Sequence, residues 1–353
     1  MSARARAAVL ALLSAFTVLL MSGCTSPKEY TGQQFLMDTV VEITVYSPSE
    51  EAAREAALAA FNEIKRIADL TDRFPEADSA AYQRSDVCQI NSMAGIRPVQ
   101  VSDDVLRMVE MAQQYSEITE GAFDITVGPL MDLWGFGAEP TVPDDYSIGQ
   151  KLALTGMDKV IVDKEAKTVF LAQKGMALDL GGIAKGYAAD KAVQVLKEKG
   201  ISQAVINAGG NVVVLGRKNK RDLWSLGIQD PRDAGSLIGV LALENQAAVT
   251  SGDYQRFFEK DGVRYHHLLN PAIGKPARGL ISVTVVCDSS TVADIMSTAL
   301  LVMGQERGFD VVSRLQGVEA LFVSEDKEIT ATPGLKEKIT VTPGEDYFYD
   351  PEG

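Results

Sequence analysis

From Phe35 onward the hydrophobic positions of the chain switch between two rhythms, and the switches mark its elements. Phe35-Leu-Met-Asp-Thr-Val-Val-Glu-Ile-Thr-Val-Tyr46 is rich in β-branched residues and partly alternating, which predicts a strand. Ser49 offers a cap to a helix that is alanine-rich from Glu51 to about Leu70. Residues 71–97, which contain Tyr82 and Asn91, read as a polar loop, and Ser102-Asp-Asp-Val starts a helix that ends near Gly121. The stretch 121–142 is dense in Gly and Pro yet carries Phe123, Trp134 and Phe136, and long irregular segments with large aromatics usually line something.

Beyond Lys159 the apolar runs shorten. Strands are expected at 160–162, 168–171 and 176–180, then a glycine-rich turn and a helix over about 187–199. Further strands are expected at 204–207, 212–215, 223–228, 237–243, 247–250, 257–260, 264–268 and 281–287. A helix over about 292–303 precedes a last strand near 321–323, and a tail with Pro and Gly from Pro333 is expected to wrap the surface. Strands and helices mix without strict βαβ alternation, which predicts an α+β fold, and no repeat of 20–50 residues is visible.

The first residues read as an address. Arg4 and Arg6 precede an apolar run from Ala7 to Met21, shorter than the roughly 20 residues a membrane-spanning helix needs, as in a signal peptide. The run ends in Met21-Ser22-Gly23-Cys24, which resembles a bacterial lipobox, so Cys24 is expected to be lipidated. The resulting plan is a signal peptide at 1–23, a polar tether at 24–34, one two-lobed domain at 35–340 and a tail at 341–353.

Composition narrows the class. Hydrophobic residues make up 46%, charged residues 23% and aromatics 7%, which excludes a disordered chain, a coiled coil, a collagen-like repeat and a disulfide-stapled scaffold. The formal charge is −14, and removing Arg4 and Arg6 with the first 23 residues takes it to −16. So acidic a surface repels phosphate backbones and argues against nucleic acid as a partner. Any anion handled here needs local dipoles, a metal ion or a few placed cations. Cys88 and Cys287 match no zinc spacing and are expected to be free and buried.

Four segments carry chemistry. In Leu178-Asp-Leu-Gly-Gly-Ile-Ala-Lys-Gly-Tyr187 a glycine pair turns the chain into a helix with Lys185 in its first turn. Free N–H groups there suit a pyrophosphate, and a tight turn with a surface lysine is the alternative. In Ala293-Asp-Ile-Met-Ser-Thr298, Asp294 and Thr298 are four apart on one helix face and offer two oxygens to a hard cation such as Mg²⁺. Thr291-x-x-Asp294 also matches a capping box. In Tyr265-His-His-Leu-Leu-Asn-Pro271 strand alternation turns the two histidines to opposite faces, so at most one faces a site, where a neutral imidazole accepts a proton. The fourth, Gly121-Ala-Phe-Asp-Ile-Thr-Val-Gly-Pro-Leu130, sets an aromatic beside an acid, a pair able to stack on and hydrogen-bond a planar heterocycle or simply to pack.

In this order, together with Met37-Asp-Thr39, Ser85–Asn91, Ala208-Gly-Gly-Asn211, Trp224–Pro231 and Thr250-Ser-Gly-Asp-Tyr254, these segments resemble the ApbE family of FAD:protein FMN transferases. Asp38 departs from the family, which more often has Gly there, and Arg73-Phe-Pro-Glu replaces its usual Ser-containing run. The resemblance implies two intertwined α/β subdomains with mixed and antiparallel sheets, an FAD cleft between them and Mg²⁺ at the pyrophosphate. It implies that a Thr (or Ser) hydroxyl of a target protein attacks the FMN-side phosphorus, AMP leaves, and FMN is attached through a phosphoester. By the same resemblance Gly182, Asp294 and Thr298 hold the metal, His267 is the base and Asp294 is also catalytic, and Lys185 binds the cofactor by helping to neutralise its pyrophosphate. Flavin or adenine contacts are implied for Met37, Tyr82, Ala122, Phe123, Asp124, Asp179 and Leu268. Expected acceptors are subunits of NADH:quinone oxidoreductase-type electron-transport complexes, met by a lipoprotein anchored through Cys24, carrying palmitate, on the extracytoplasmic side of the membrane. The competing expectations are an FAD pyrophosphatase, in which water replaces the protein hydroxyl, and a flavin-capturing lipoprotein without chemistry.

Overall fold

A computed structural model describes residues 27–76, 79–136, 139–219, 221–342, 344 and 346–349. The predicted signal peptide, Cys24 and the end of the tail lie outside the described residues. The alternating stretch expected as one strand from Phe35 folds as a hairpin of Lys28–Leu36 and Thr39–Ser47. Met37 and Asp38 form its turn, with φ of 53° and 59°, both left-handed as a two-residue I′ loop requires. The expected tether is therefore strand from Lys28 onward.

The helix Glu50–Thr71 begins where expected, with Ser49 Oγ accepting from the Ala52 amide at 3.2 Å. Its buried face carries Ala53, Ala56, Ala57 and Ala60 ahead of Phe61, Ile64 and Ile67, and the helix Ala184–Glu198 buries Ala188, Ala189 and Ala192 in the same core. Small side chains on both faces let the two helices approach closely. Ser102 caps Asp103–Ile118 as predicted. The expected loop 71–97 contains two short helices, Ala80–Arg84 and Asp86–Ser92, capped by Ser79 and Ser85.

The run 176–180 is a correction. It joins no ladder and makes only a single bridge, between Ala177 and Val127. A side chain stands in for the missing strand: Asn91 Oδ1 accepts from the Leu178 amide at 2.7 Å, and Asn91 Nδ2 donates to the Leu178 carbonyl at 3.1 Å. The helix Gln305–Ser313 and the strand Glu328–Ala331 were not expected.

A nine-stranded sheet runs in the order 28–36, 39–47, 204–208, 211–215, 247–252, 280–287, 319–324, 328–331, 348–349. Every neighbouring pair is antiparallel except the last. Val41, Val213, Val249 and Val283 face the helices, whereas Val214, Ala248, Val286 and Leu321 face a three-stranded sheet of Trp224–Gln229, Leu237–Leu243 and Ile339–Val341. Leu280–Cys287 is consequently buried along its whole length. A second small sheet of Val99–Gln100, Thr168–Leu171 and Val160–Asp163 shares the helix-side core, which intertwines the two lobes of this α+β fold.

The tail does not lie loose: the strand Ile339–Val341 pairs across the expected boundary at 340, and Phe348–Tyr349 adds to the edge of the large sheet. Cys88 and Cys287 are free and buried, and each thiol donates to a carbonyl, of Asp72 and Ser289 respectively. Among the described residues no helix is long and apolar enough to cross a membrane.

Candidate active site

A cleft of about 890 Å³ opens where the hairpin turn at Met37, the glycine turn at Gly181 and Gly182, the loop 122–127 and the segment 267–271 meet the helix Ser290–Met303. Met37, Ala122, Phe123, Asp124, Asp179, Gly182, Lys185, His267, Leu268, Asp294 and Thr298 all line it. Tyr82 is not among the lining residues. It sits half-buried on the short helix Ala80–Arg84.

At the glycine turn, for which the sequence allowed an anion cradle or a tight turn with a surface lysine, several amides already have acceptors. The Gly181 amide donates to Asp179 Oδ1 at 2.8 Å and the Ala184 amide to the Leu180 carbonyl at 2.8 Å. The Gly186 amide donates to Asp294 Oδ2 at 2.9 Å. Asp294 is thus a helix cap, but of the helix Ala184–Glu198 rather than its own. The cap of its own helix is Ser289, whose Oγ accepts from Val292, so the Thr291–Asp294 capping box does not form. Asp190 completes that end: its carboxylate accepts from the Ser290 amide at 2.8 Å, the Thr291 amide at 2.9 Å and the hydroxyls of Ser289 and Thr291. Close approach of the two helices depends on Gly186, where a Cβ would lie 2.2 Å from the Ser290 carbonyl oxygen and 2.7 Å from Asp294 Cβ.

Asp294 is 3% exposed and lines the cleft, and with Oδ2 on Gly186 its other oxygen is the one left for a ligand. Thr298 lies beside it on the same face, and a Cβ at Gly182 would come within 3.3 Å of Thr298 Oγ1. A chain of hydroxyls fixes the proton of Thr298. Ser297 Oγ donates to the Asp294 carbonyl at 3.0 Å, so in its 2.8 Å contact with Ser251 it must accept. Ser251, its proton spent on Ser297, presents lone pairs to Thr298 Oγ1 at 3.5 Å. Thr298 then keeps its own lone pairs for the cleft.

The two histidines part as alternation demands. His266 is 2% exposed and donates through Nε2 to the Ala277 carbonyl at 2.8 Å. His267 lines the cleft, and its Nδ1 lies 3.2 Å from the Arg256 carbonyl. A carbonyl only accepts, so Nδ1 carries the proton and Nε2 the free lone pair. Desolvation first, and then the Arg256 guanidinium, lower the pKa of His267 to about 3. The ring is neutral at physiological pH, as a proton acceptor must be.

The acidic wall is more heavily engaged than the sequence suggests. Asp124 Oδ1 accepts from both the amide and the hydroxyl of Thr126 at 2.6 Å, while desolvation raises its pKa. Phe123 is 3% exposed, and its ring props the turn, since a Cβ at Gly182 would meet it at 3.1 Å. Arg73 donates to Asp179 Oδ2 at 2.7 Å and to Asp132 at 3.0 Å. Both Asp179 oxygens therefore hold a donor already. Lys185 Nζ reaches the Gly181 carbonyl at 3.2 Å. Arg73, Ser251, Asn211 and Arg256 also line the cleft and were assigned no role by sequence reasoning. For Ser251 and Asn211 the signal was present in the Thr250–Tyr254 and Ala208–Asn211 motifs.

Among the described residues no group of three or more His, Cys, Asp or Glu is arranged to hold a metal ion. A cation between Asp294 and Thr298 would meet one carboxylate and one hydroxyl, hard oxygen donors that would suit Mg²⁺ completed by water and phosphate.

Comparison with known proteins gives the same direction. The chain is 38% identical over 303 residues to an FAD:protein FMN transferase of Klebsiella pneumoniae (strain 342), covering 85% of this chain and 90% of that one. Among solved structures, the ApbE protein of Thermotoga maritima superposes with a TM-score of 0.80 at 36% identity, covering 88% of this chain and 99% of the other. The flavin transferase ApbE of Vibrio cholerae does so with a TM-score of 0.78 at 28% identity, with coverage of 88% and 99%. The sequence profile described as the ApbE family matches residues 37–322, and the chain belongs to that family.

Proposed function

We propose that this protein is a Mg²⁺-dependent FAD:protein FMN transferase. The observation that carries the reading is the convergence, in one cleft, of the Asp294 and Thr298 oxygens, the glycine turn and a neutral His267 with Nε2 free. Pyrophosphate cleavage by a neutral hydroxyl needs charge neutralisation, an aligned nucleophile and a base, and these groups supply each.

In the proposed reaction FAD lies along the cleft with its pyrophosphate between the glycine turn and the helix Ser290–Met303. His267 Nε2 takes the proton of an acceptor Thr or Ser hydroxyl as its oxygen forms a bond to the FMN-side phosphorus. The phosphoanhydride bond breaks and AMP carries away the bridging oxygen. Lys185 would hold negative charge at the turn, and Asp294 and Thr298, oriented by Gly186 and Ser251, would hold the cation with backbone oxygen of Gly182. When bound, Mg²⁺ neutralises the charge that develops on the phosphoryl oxygens. Met37, Ala122, Asp124 and Leu268 line the cleft and would contact the flavin or adenine.

The acceptor we propose is a subunit of an NADH:quinone oxidoreductase-type electron-transport complex, reached from the extracytoplasmic face of a membrane through lipid on Cys24. Those two features rest on the sequence alone. The test is incubation with FAD, Mg²⁺ and such an acceptor, read by mass spectrometry. FMN on an acceptor Thr, with one AMP per modified chain, supports transfer. Rapid AMP release without acceptor means water is the nucleophile and the protein is a pyrophosphatase, and unchanged FAD means it is neither.

A further inference from the structure

The turn Gly209–Gly210 is flanked by two asparagines with different situations. Asn207 Oδ1 accepts from the Gly210 amide and so shapes the turn. Asn211, 3% exposed at the start of the strand Asn211–Leu215, has no partner for its amide nitrogen Nδ2 among the described residues. A buried donor without an acceptor is costly, and native proteins rarely keep one without a use.

Register fixes which way Asn211 faces. It pairs with Val249, and in the same two strands Val213, Leu215 and Val249 belong to the helix-side core while Val214 and Ala248 belong to the opposite face. By strand alternation Asn211 and Ser251 both point to the helix side. They are diagonal neighbours, about 7–8 Å apart between Cα atoms. Ser251 is the residue whose Oγ lies 3.5 Å from Thr298 Oγ1, and Asn211, Ser251, Asp294 and Thr298 all line the cleft. Asn211 is therefore part of the floor of the cleft, one step from the oxygens assigned to the cation, with its orphan donor buried at that floor.

We propose that Asn211 is a substrate-binding residue whose Nδ2 donates to a non-bridging oxygen of the FMN-side phosphoryl group. The inference rests on the reading above, and it adds a neutral donor to a site otherwise described by its cation ligands and Lys185. A neutral amide has a specific advantage there. It holds the phosphoryl oxygen while attracting the incoming nucleophile's proton no more strongly than water does, which leaves that proton to His267. Unlike a further cation, it also does not compete with the metal ion for Asp294.

The test compares flavins that differ in the phosphoryl group. Binding of FMN and of riboflavin, followed by flavin fluorescence, is measured for the wild type, Asn211→Asp and Asn211→Ala. Asn211→Asp is isosteric, removes the donor and keeps an acceptor. Both variants are expected to bind FMN at least about tenfold more weakly, the loss of one hydrogen bond to a charged group, with riboflavin affinity unchanged. Unaltered FMN binding by Asn211→Asp overturns the proposal, as does an equal loss for FMN and riboflavin, which would put the contact on the ring or the ribityl chain. Thermal melts of the ligand-free variants separate a lost contact from a lost fold, and if Asn211→Asp does not fold, Asn211→Ala carries the comparison. A wild type that binds neither flavin and leaves FAD unchanged in the presence of Mg²⁺ would instead remove the proposed function, so the two failures are told apart.

Discussion

Asp190 and Asp294 cap each other's helices. Asp294 Oδ2 accepts the Gly186 amide in the first turn of the helix that carries Asp190, and Asp190 accepts the Ser290 and Thr291 amides in the first turn of the helix that carries Asp294. Each carboxylate also sits at the positive end of the other's macrodipole. The exchange ties the glycine turn to the acid that would hold the cation, so neither can shift without the other.

Asp190 lies outside the cleft lining, and its replacement tests that tie. Asp190→Ala removes four donors' common acceptor and is expected to cost about 1–3 kcal/mol of stability. It should also raise the Mg²⁺ concentration needed for half-maximal transfer, while saturating Mg²⁺ restores most of the rate. Calorimetric melting and a Mg²⁺ titration of AMP release check both halves.

Asp294→Asn keeps an oxygen able to accept from Gly186 and removes the charge. The expected result is a fold with nearly wild-type melting and no Mg²⁺-dependent transfer. Wild-type turnover in this variant would refute the metal assignment.

Gly186→Ala tests the packing between the same helices. Its Cβ would meet backbone at Ser290 and the Asp294 side chain, neither of which is the far end of a flexible chain. Separating the helices should cost about 1–3 kcal/mol, the usual range for overpacking, and weaken Mg²⁺ binding by calorimetry.

His267→Ala is expected to slow transfer by about 10²–10⁴-fold, the usual contribution of a general base. The pH dependence has a definite sign. Burial and Arg256 lower the native pKa to about 3, whereas the unfolded imidazole titrates near its ordinary 6.5. Between those values the unfolded chain binds the extra proton, so stability falls as pH drops below about 6.5. Denaturant melts from pH 7.5 to 5 should show that loss, and it should be shallower in His267→Ala. Transfer by the wild type should show no inflection from this residue across the same range.

Arg73→Ala leaves Asp179 and Asp132 without their shared guanidinium. Arg73 is 7% exposed on its side chain and Asp179 19%, whereas Asp132 is 52% exposed and its share is screened by water. The expected cost is about 1–3 kcal/mol, dominated by Asp179. Urea melts measure it, and FAD titration should show an altered affinity because Asp179 lines the cleft.

Local signals carried much of the architecture. Ser49 and Ser102 cap helices where a short polar side chain precedes an apolar period, and the valine-rich runs at 212–215 and 281–287 are strands. What stayed hidden has long-range causes. Asn91 replaces a strand for Leu178 across 87 positions of sequence. The cap that Asp294 makes lies 108 residues away, while its nearer partner Thr291 suggested a box that Ser289 pre-empts. The hairpin at Met37 and Asp38 lacks the Asn-Gly or Gly signal, because two non-glycine residues take the left-handed turn. Within the site, the ordered motifs that carry the family resemblance pointed to most of the cleft lining. The engagement of Asp179 by Arg73 and the hydroxyl chain through Ser251 depend on contacts that only folding creates.

The two buried cysteines have a practical consequence. Burial drives the Cys287 thiol up to about 12 and raises that of Cys88, and each S–H is committed to a main-chain oxygen. Thiolates attack disulfides and thiols do not. Neither position therefore calls for a reductant on the shelf, and non-reducing electrophoresis after exposure to air should show no cross-linked species through Cys88 or Cys287.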